Sequence, residues 1–375
     1  SDDPEVIGLD LRGASFAQLS KKFQREEEIR MAMMGGSITQ NPKGYSSLIP
    51  EWFRMQFPQN KLRTFNLGLS STCSITGAFR MQKHLLSREP IDLLLVEFAV
   101  NDNQDAHLSF EAAIRGMEGI VRRAHSEEIP VLMILFPNQE LLARVQAGVS
   151  APSLQAHLAV ADNYMVPTVN VVEALADAIE RDQMTWEDYG GVHPSADGYA
   201  FATNLVVTAM SRLLNQKTDS PLPDLPEPLD PHCYSRAFWT NPSAATFAGT
   251  WYHGHPVRNL IATGNLRKEY FAYPLARSIT PGSSLRFKFE GNPVSGFFLA
   301  GPDAGVIEVK IDEGETREID LYHVPYSRRL NYPRSLILAD GLVSGSHILE
   351  LSVSKKNNPA SIGNACNILY FGVNQ

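Results

Sequence analysis

Cysteine is scarce. Cys73, Cys233 and Cys366 are the only three in 375 residues, too few and too scattered to frame a disulfide scaffold or a zinc knuckle. A bridge between Cys233 and Cys366, both in the second half, is the one pairing left open. Positive charge is also short: 33 Lys and Arg stand against 41 Asp and Glu, a net charge of −8 with no basic stripe, which argues against a nucleic-acid partner because phosphate binding draws on clustered cations. Long apolar runs are missing too. Ile91 to Val100 is interrupted by Asp92 and Glu97 and falls short of the roughly 20 residues that span a bilayer, so no membrane span is expected. No phosphate loop or dinucleotide fingerprint is present. The chain opens SDDPEVIG, with neither an initiator Met nor an apolar leader, which reads as a mature or trimmed chain.

What is present is an alternation. Phe16 to Glu28 reads as a short amphipathic helix, Met31 to Met34 as a buried strand, Gly44 to Phe57 as a helix despite Pro50, and Leu62 to Leu67 as a strand. A helix at Ile75 to Leu86, a strand at Ile91 to Phe98, a helix at Phe110 to Glu127 and a strand at Pro130 to Phe136 follow. A helix near Ser153 to Tyr164, a strand at Val166 to Val171, a helix through Arg181 and a last helix at Ala200 to Leu214 complete the series. Repeated strand-then-helix units predict a parallel sheet covered on both faces. Pro221 to Pro231 (PLPDLPEPLDP) can hold neither a helix nor a central strand and reads as a linker. Beyond it, short alternating runs at Ser284 to Phe289, Val294 to Leu299, Val306 to Ile311, Glu318 to Leu321 and His347 to Val353, with a hairpin turn at Asp312 to Glu315, predict an all-β sandwich. The expected division is residues 1–220, a linker at 221–232, and 233–375.

Arg30 to Gln40 (RMAMMGGSITQ) organises the first half. An apolar strand ends in Gly35 and Gly36, which let the backbone turn, and Ser37 heads the next helix, where a weak alcohol can point into the cleft at the strand's carboxyl end. Alone, such a turn is better explained by serine as a helix cap. Three more segments end strands or precede a helix in the same way: NLGLSS around Gly68, VEFAVND around Asn101 and VHPSADGY around His193. Together with GGSIT, in this order, they resemble the SGNH, or GDSL-like, hydrolases over Met31 to Tyr199. The Gly-x-Ser-x-Gly elbow of another hydrolase class is absent, because Thr39 stands where its second glycine would be.

The resemblance implies a three-layer flavodoxin-like α/β domain, here joined to a jelly-roll-like β-sandwich, and a serine esterase with no metal or cofactor. It assigns Ser37 as nucleophile, His193 as base, and the N–H groups of Ser37 and Gly68 with the Asn101 amide as an oxyanion hole. Histidine suits the base role because its ordinary pKa lies near 6.5. The family's aspartate, three residues before the histidine, is replaced by Gly190. Asp188 is then the first choice to orient His193, Glu187 the second, and a backbone carbonyl serving a Ser–His dyad the third. Asp102 is expected to hold the Asn101 loop by local bonds, Arg80 to be a helix-face charge, and the His253/His255 pair to be structural for want of a third ligand nearby. By architectural likeness to bacterial carbohydrate esterases, the expected reaction is removal of a small acyl group, most of all acetyl, from a carbohydrate. Trp239, Trp251, Tyr252, Tyr270 and Tyr273 offer rings for sugar stacking, and a polymer substrate implies a secreted or periplasmic enzyme. A lipid esterase or thioesterase, and a catalytically silent carbohydrate-binding protein, are the alternatives.

Overall fold

In the computed structural model, which describes residues 3–216, 223–261, 263–324 and 326–375, the alternation of the first half becomes one six-stranded sheet. Strands β1 (Leu9–Asp10), β2 (Ile29–Gly35), β3 (Leu62–Gly68), β4 (Leu93–Val96), β5 (Val131–Leu135) and β6 (Thr168–Asn170) stand in the order β1-β6-β5-β4-β2-β3. All neighbours are parallel except β1, a two-residue antiparallel edge on β6. The chain leaves β2 for β3 on one side and then crosses to β4 on the other, so the order reverses beside β2, where an open α/β sheet forms its ligand crevice. Strands β4 and β5 (LLLV and VLMIL) are buried at every position, as strands covered on both faces must be.

The helices are α1 (Ala17–Gln24), α2 (Ser37–Gln40), α3 (Tyr45–Gln56), α4 (Ser74–Met81), α5 (Phe110–Ser126), α6 (Gln139–Gln146), α7 (Pro152–Asn163), α8 (Val171–Glu180), α9 (Trp186–Tyr189) and α10 (Ala196–Asn215). Helix α6, not foreseen, is started by Asn138, whose side chain accepts the Leu141 N–H. The expected strand at Ile91 to Phe98 is shorter, Leu93–Val96.

Two compact units emerge, Ser1–Ser235 and Arg236–Gln375. Pro221, at the start of the expected linker, lies outside the described residues. Leu222 lies outside them too, and the part from residue 223 on is strapped along α5 rather than hanging free. Arg122 Nη1 donates to Pro226 O (2.6 Å), Arg115 pairs with Asp230 (2.8 Å), and the buried Glu118 carboxylate accepts the N–H groups of Leu229 (2.6 Å) and Asp230 (2.9 Å). Proline explains both halves of this result: it denies regular structure, and its carbonyl still accepts.

The second unit is two antiparallel sheets. One has the order β15-β12-β17-β10-β9 with β7 also on β17, and the other β14-β13-β16-β11-β8. The strands are β7 (Ala237–Thr240), β8 (Thr246–Ala248), β9 (Tyr252–Gly254), β10 (Leu275–Ser278), β11 (Ser284–Glu290), β12 (Val294–Ala300), β13 (Val306–Ile311), β14 (Arg317–Asp320), β15 (Tyr332–Ala339), β16 (Ser346–Val353) and β17 (Cys366–Asn374). Leu285, Phe287, Leu349 and Leu351 of one sheet meet Phe298, Ile368 and Phe371 of the other in one apolar core, with Phe287 stacked on Phe371 at 4.4 Å.

The cysteines and the ring-bearing side chains bear on several expectations. Cys73, Cys233 and Cys366 are all free thiols, so the Cys233–Cys366 bridge is not formed. Tyr270 is fully buried and has no face for a sugar. Trp239 lies flat on Tyr370 (4.4 Å) and Phe297 (4.9 Å), and the Trp251 indole donates to Ala248 O and Ser284 O. His253 packs edge-on to Phe247 and His255 bonds to Phe271 O. No helix among the described residues is long and apolar enough to cross a membrane.

Candidate active site

Ser37 is the first residue of α2, directly after β2 and Gly36. Neither Gly35 nor Gly36 has positive φ, so the pair is not needed for an unusual turn. A β-carbon on Gly35 would lie 2.1 Å from Glu97 Oε1, and one on Gly36 2.2 Å from Asn101 Oδ1. The glycines are there because the ends of β2 and β4 are pressed together.

His193 reaches Ser37 from 156 residues away, with Nε2 3.0 Å from the Ser37 hydroxyl oxygen. Three features shape its loop. Thr185 and Asp188 form a reciprocal capping box at the start of α9, Thr185 N–H to Asp188 Oδ2 (3.2 Å) and Asp188 N–H to Thr185 Oγ1 (3.0 Å). Gly190 ends that helix in the left-handed region at φ +102°, and a β-carbon there would sit 2.1 Å from Ser195 N. Ser195 caps α10 and ties the loop shut, its hydroxyl donating to Asp188 O (2.6 Å) and its N–H to Tyr189 O (2.8 Å).

The missing aspartate now has a physical reason. Position 190 is a helix C-cap that only glycine fills without strain. The Asp188 carboxylate accepts the Thr185 N–H at the start of its own helix. Among the described residues the Ser37 contact is the hydrogen bond His193 makes, and neither Asp188 nor Glu187 bonds to its ring.

Gly68 also departs from expectation. Its N–H donates to Asn66 Oδ1 (3.0 Å) and is not offered to a ligand. The glycine is required for space, since a β-carbon would lie 2.3 Å from Gln40 N. Three residues on, Ser71 takes φ +64° in the loop before α4, a conformation serine seldom adopts. Asn101 is buried at the end of the β4 segment; its Nδ2 donates to Asp105 (2.5 Å). Asp102 holds this loop, but by distant bonds rather than local ones. It accepts from Ser74 N–H (2.8 Å) and Ser74 Oγ (2.7 Å) at the head of α4 and pairs with the buried His157 Nε2 of α7 (2.8 Å). Arg80 is no surface charge: only 1% exposed, its Nη2 donates to Leu67 O (2.7 Å) and reaches Gly35 O (3.4 Å), tying the ends of β2 and β3. Burial and then the Arg80 charge push His84 down to about 3.

In the sequence Glu97 is an acid that interrupts an apolar strand. It is fully buried, and its Oε1 accepts the Gly36 N–H (2.9 Å) and the Thr39 hydroxyl (2.7 Å); Thr39 also meets Tyr45 OH (2.5 Å). Burial pushes the Glu97 carboxyl up to about 7, the bonds from Thr39 and Gly36 oppose that, and Asp102 adds to it. The signal was in the sequence: a carboxylate in a central parallel strand is costly unless it is partnered.

The arrangement can take a proton from an alcohol and receive negative charge beside it. The Ser37 N–H, at the head of α2, has no acceptor among the described residues, and the Asn101 amide stands against the same turn. These are the parts of acyl transfer: an alcohol, an imidazole and N–H donors.

Comparison with known proteins agrees. Residues 33–201 match the model of the GDSL-like Lipase/Acylhydrolase family. Among solved structures, the chain is similar to a two-domain esterase (CEX) active on acetylated mannans, with a TM-score of 0.78 at 20% identity, covering 98% of this chain and 97% of that one. It is equally similar to the same esterase co-crystallized with mannopentaose, with a TM-score of 0.78 at 18% identity and coverage of 98% and 96%. At these identities the likeness is one of fold. No curated protein matches the chain. Family match and site chemistry together make the first unit a GDSL-like lipase/acylhydrolase domain of the SGNH type, and the chain that carries it a carboxylic ester hydrolase.

Proposed function

We propose that this hydrolase removes small acyl groups, acetyl above all, from a carbohydrate, with Ser37 as nucleophile and His193 as base. The observation that carries the mechanism is the 3.0 Å approach of Ser37 Oγ to His193 Nε2. As the Ser37 oxygen bonds to the acyl carbon, its proton passes to Nε2. The carbonyl oxygen becomes an oxyanion facing the Ser37 N–H and the Asn101 amide. Collapse breaks the bond to the sugar oxygen, which takes the proton from His193, and water then releases the acid by the same steps in reverse.

With Asp188 engaged in its capping box, the reading is a Ser–His dyad. In it Asp188 acts through the loop: the box and the Ser195 bonds hold both ends of the segment from which His193 projects. The carbohydrate substrate is supported by the fold shared with an esterase active on acetylated mannans. A polymeric substrate also implies action outside the cytoplasm.

The test is release of acetate from acetylated mannan and xylan oligosaccharides, compared with p-nitrophenyl esters of increasing chain length. Turnover should be highest with acetyl and fall by at least about 10⁴-fold in Ser37→Ala. A preference for long acyl chains would sink the carbohydrate reading. Undiminished activity in Ser37→Ala would sink the mechanism.

A further inference from the structure

The carboxylate beneath the nucleophile turn has no part in the steps above, and its placement calls for one. Glu97 Oε1 takes the N–H of Gly36, the residue before Ser37, and the hydroxyl of Thr39, two residues after it. Its other oxygen, Oε2, is buried with no hydrogen-bond partner. An arrangement chosen for stability alone would not leave a buried carboxylate half satisfied. By occupying donors on both sides of Ser37, the carboxylate fixes the backbone there and leaves the Ser37 N–H as the open donor at the head of α2.

We infer that Glu97 is a positioning residue for the nucleophile: its grip on Gly36 and Thr39 holds the Ser37 hydroxyl in line with His193 and the Ser37 N–H in line with the developing oxyanion. This rests on the reading of Ser37 as nucleophile. The alignment is needed in the transition state more than in the bound ester, so its loss should fall on kcat and leave KM in place. Thr39 is part of the same device, steadied from the far side by Tyr45.

The experiment compares the full-length wild type with Glu97→Ala, Glu97→Gln, Thr39→Val and Ser37→Ala, measuring kcat and KM with p-nitrophenyl acetate and Tm for each. Glu97→Ala should lose about 10- to 100-fold in kcat, the scale of a small misplacement of reacting groups, with KM within about twofold. Glu97→Gln keeps an acceptor oxygen and should recover kcat to within about threefold of wild type. If Glu97→Ala does not fold, Thr39→Val decides, and it should lower kcat with KM held. Unchanged kcat in folded Glu97→Ala, or in Thr39→Val where Glu97→Ala fails, would overturn the inference while Ser37→Ala stays inactive. Equal losses in kcat and gains in KM would overturn it as well. Activity surviving in Ser37→Ala would instead remove the nucleophile assignment, and this inference with it.

Discussion

The two units differ in what their buried polar groups surround. In the second, side chains such as Leu285, Phe287 and Phe371 form an apolar cluster between the sheets, and the buried Arg277 is paired with Asp303 (3.0 Å) and bonded to Asn367 (2.8 Å). In the first, Thr39, Ser74, Arg80, Glu97, Asn101, Asp102 and His157 are all buried, gathered around the carboxyl ends of β2, β3 and β4. Every such group costs desolvation that must be offset by a partner. A unit that places seven of them at one edge of its sheet is holding a geometry there, whereas the other is holding two sheets together.

If that contrast is right, damage to the two places should register differently. The largest effect is expected from Gly190→Asp, which restores the residue the family carries at that point. It forces a side chain into a left-handed cap against Ser195 N and should displace His193, costing about 10²-fold or more in kcat/KM toward p-nitrophenyl acetate. Wild-type activity there would mean that the loop tolerates the very residue its geometry excludes. Next is Leu351→Ala in the sandwich core, which should lower stability by about 2–5 kcal/mol by calorimetry or denaturant unfolding. While folded, it should leave kcat toward the same small ester unchanged. A matching fall in kcat would erase the distinction between the units.

A smaller effect concerns pH. The Glu97 carboxyl titrates at about 7 in the folded chain against an ordinary value near 4.5. Between those values the folded chain holds a proton that the unfolded chain has lost, so this group's stabilising contribution is present below pH 4.5 and lost as pH rises through 7. Glu97→Gln has no such proton, so its Tm relative to wild type should be higher at pH 8 than at pH 5. A constant difference across that range would contradict it. The smallest effect is expected from Asp188→Asn, which keeps an oxygen to accept the Thr185 N–H and should stay within about threefold of wild-type activity. A loss near 10⁴-fold would make Asp188 the acid that orients His193 after all.

The sequence made the sheet and the positions of Ser37, Asn101 and His193 readable, because apolar strands, glycine turns and helix starts are local patterns. The Glu97 network was not, because its partners lie about 60 residues away and only the parallel register of β2 with β4 brings them together. The capping box of Asp188 is hidden for a related reason: a reciprocal bond within one turn competes with any longer reach, and neighbouring residues alone do not rank the two. In the sandwich, β11 and β16 were legible from their alternation, but β17 was not. It is buried at all of its positions, with the core on one face and Trp239 over Tyr370 on the other, so the period-two signal vanished.

The proline-rich strap carries a practical consequence for anyone dividing the gene. Ending a recombinant hydrolase fragment near residue 220, where the composition invites a cut, would strip Glu118 of the Leu229 and Asp230 amides and Arg115 of its carboxylate partner. A fragment carried through Ser235 keeps that lining intact and is the one to express.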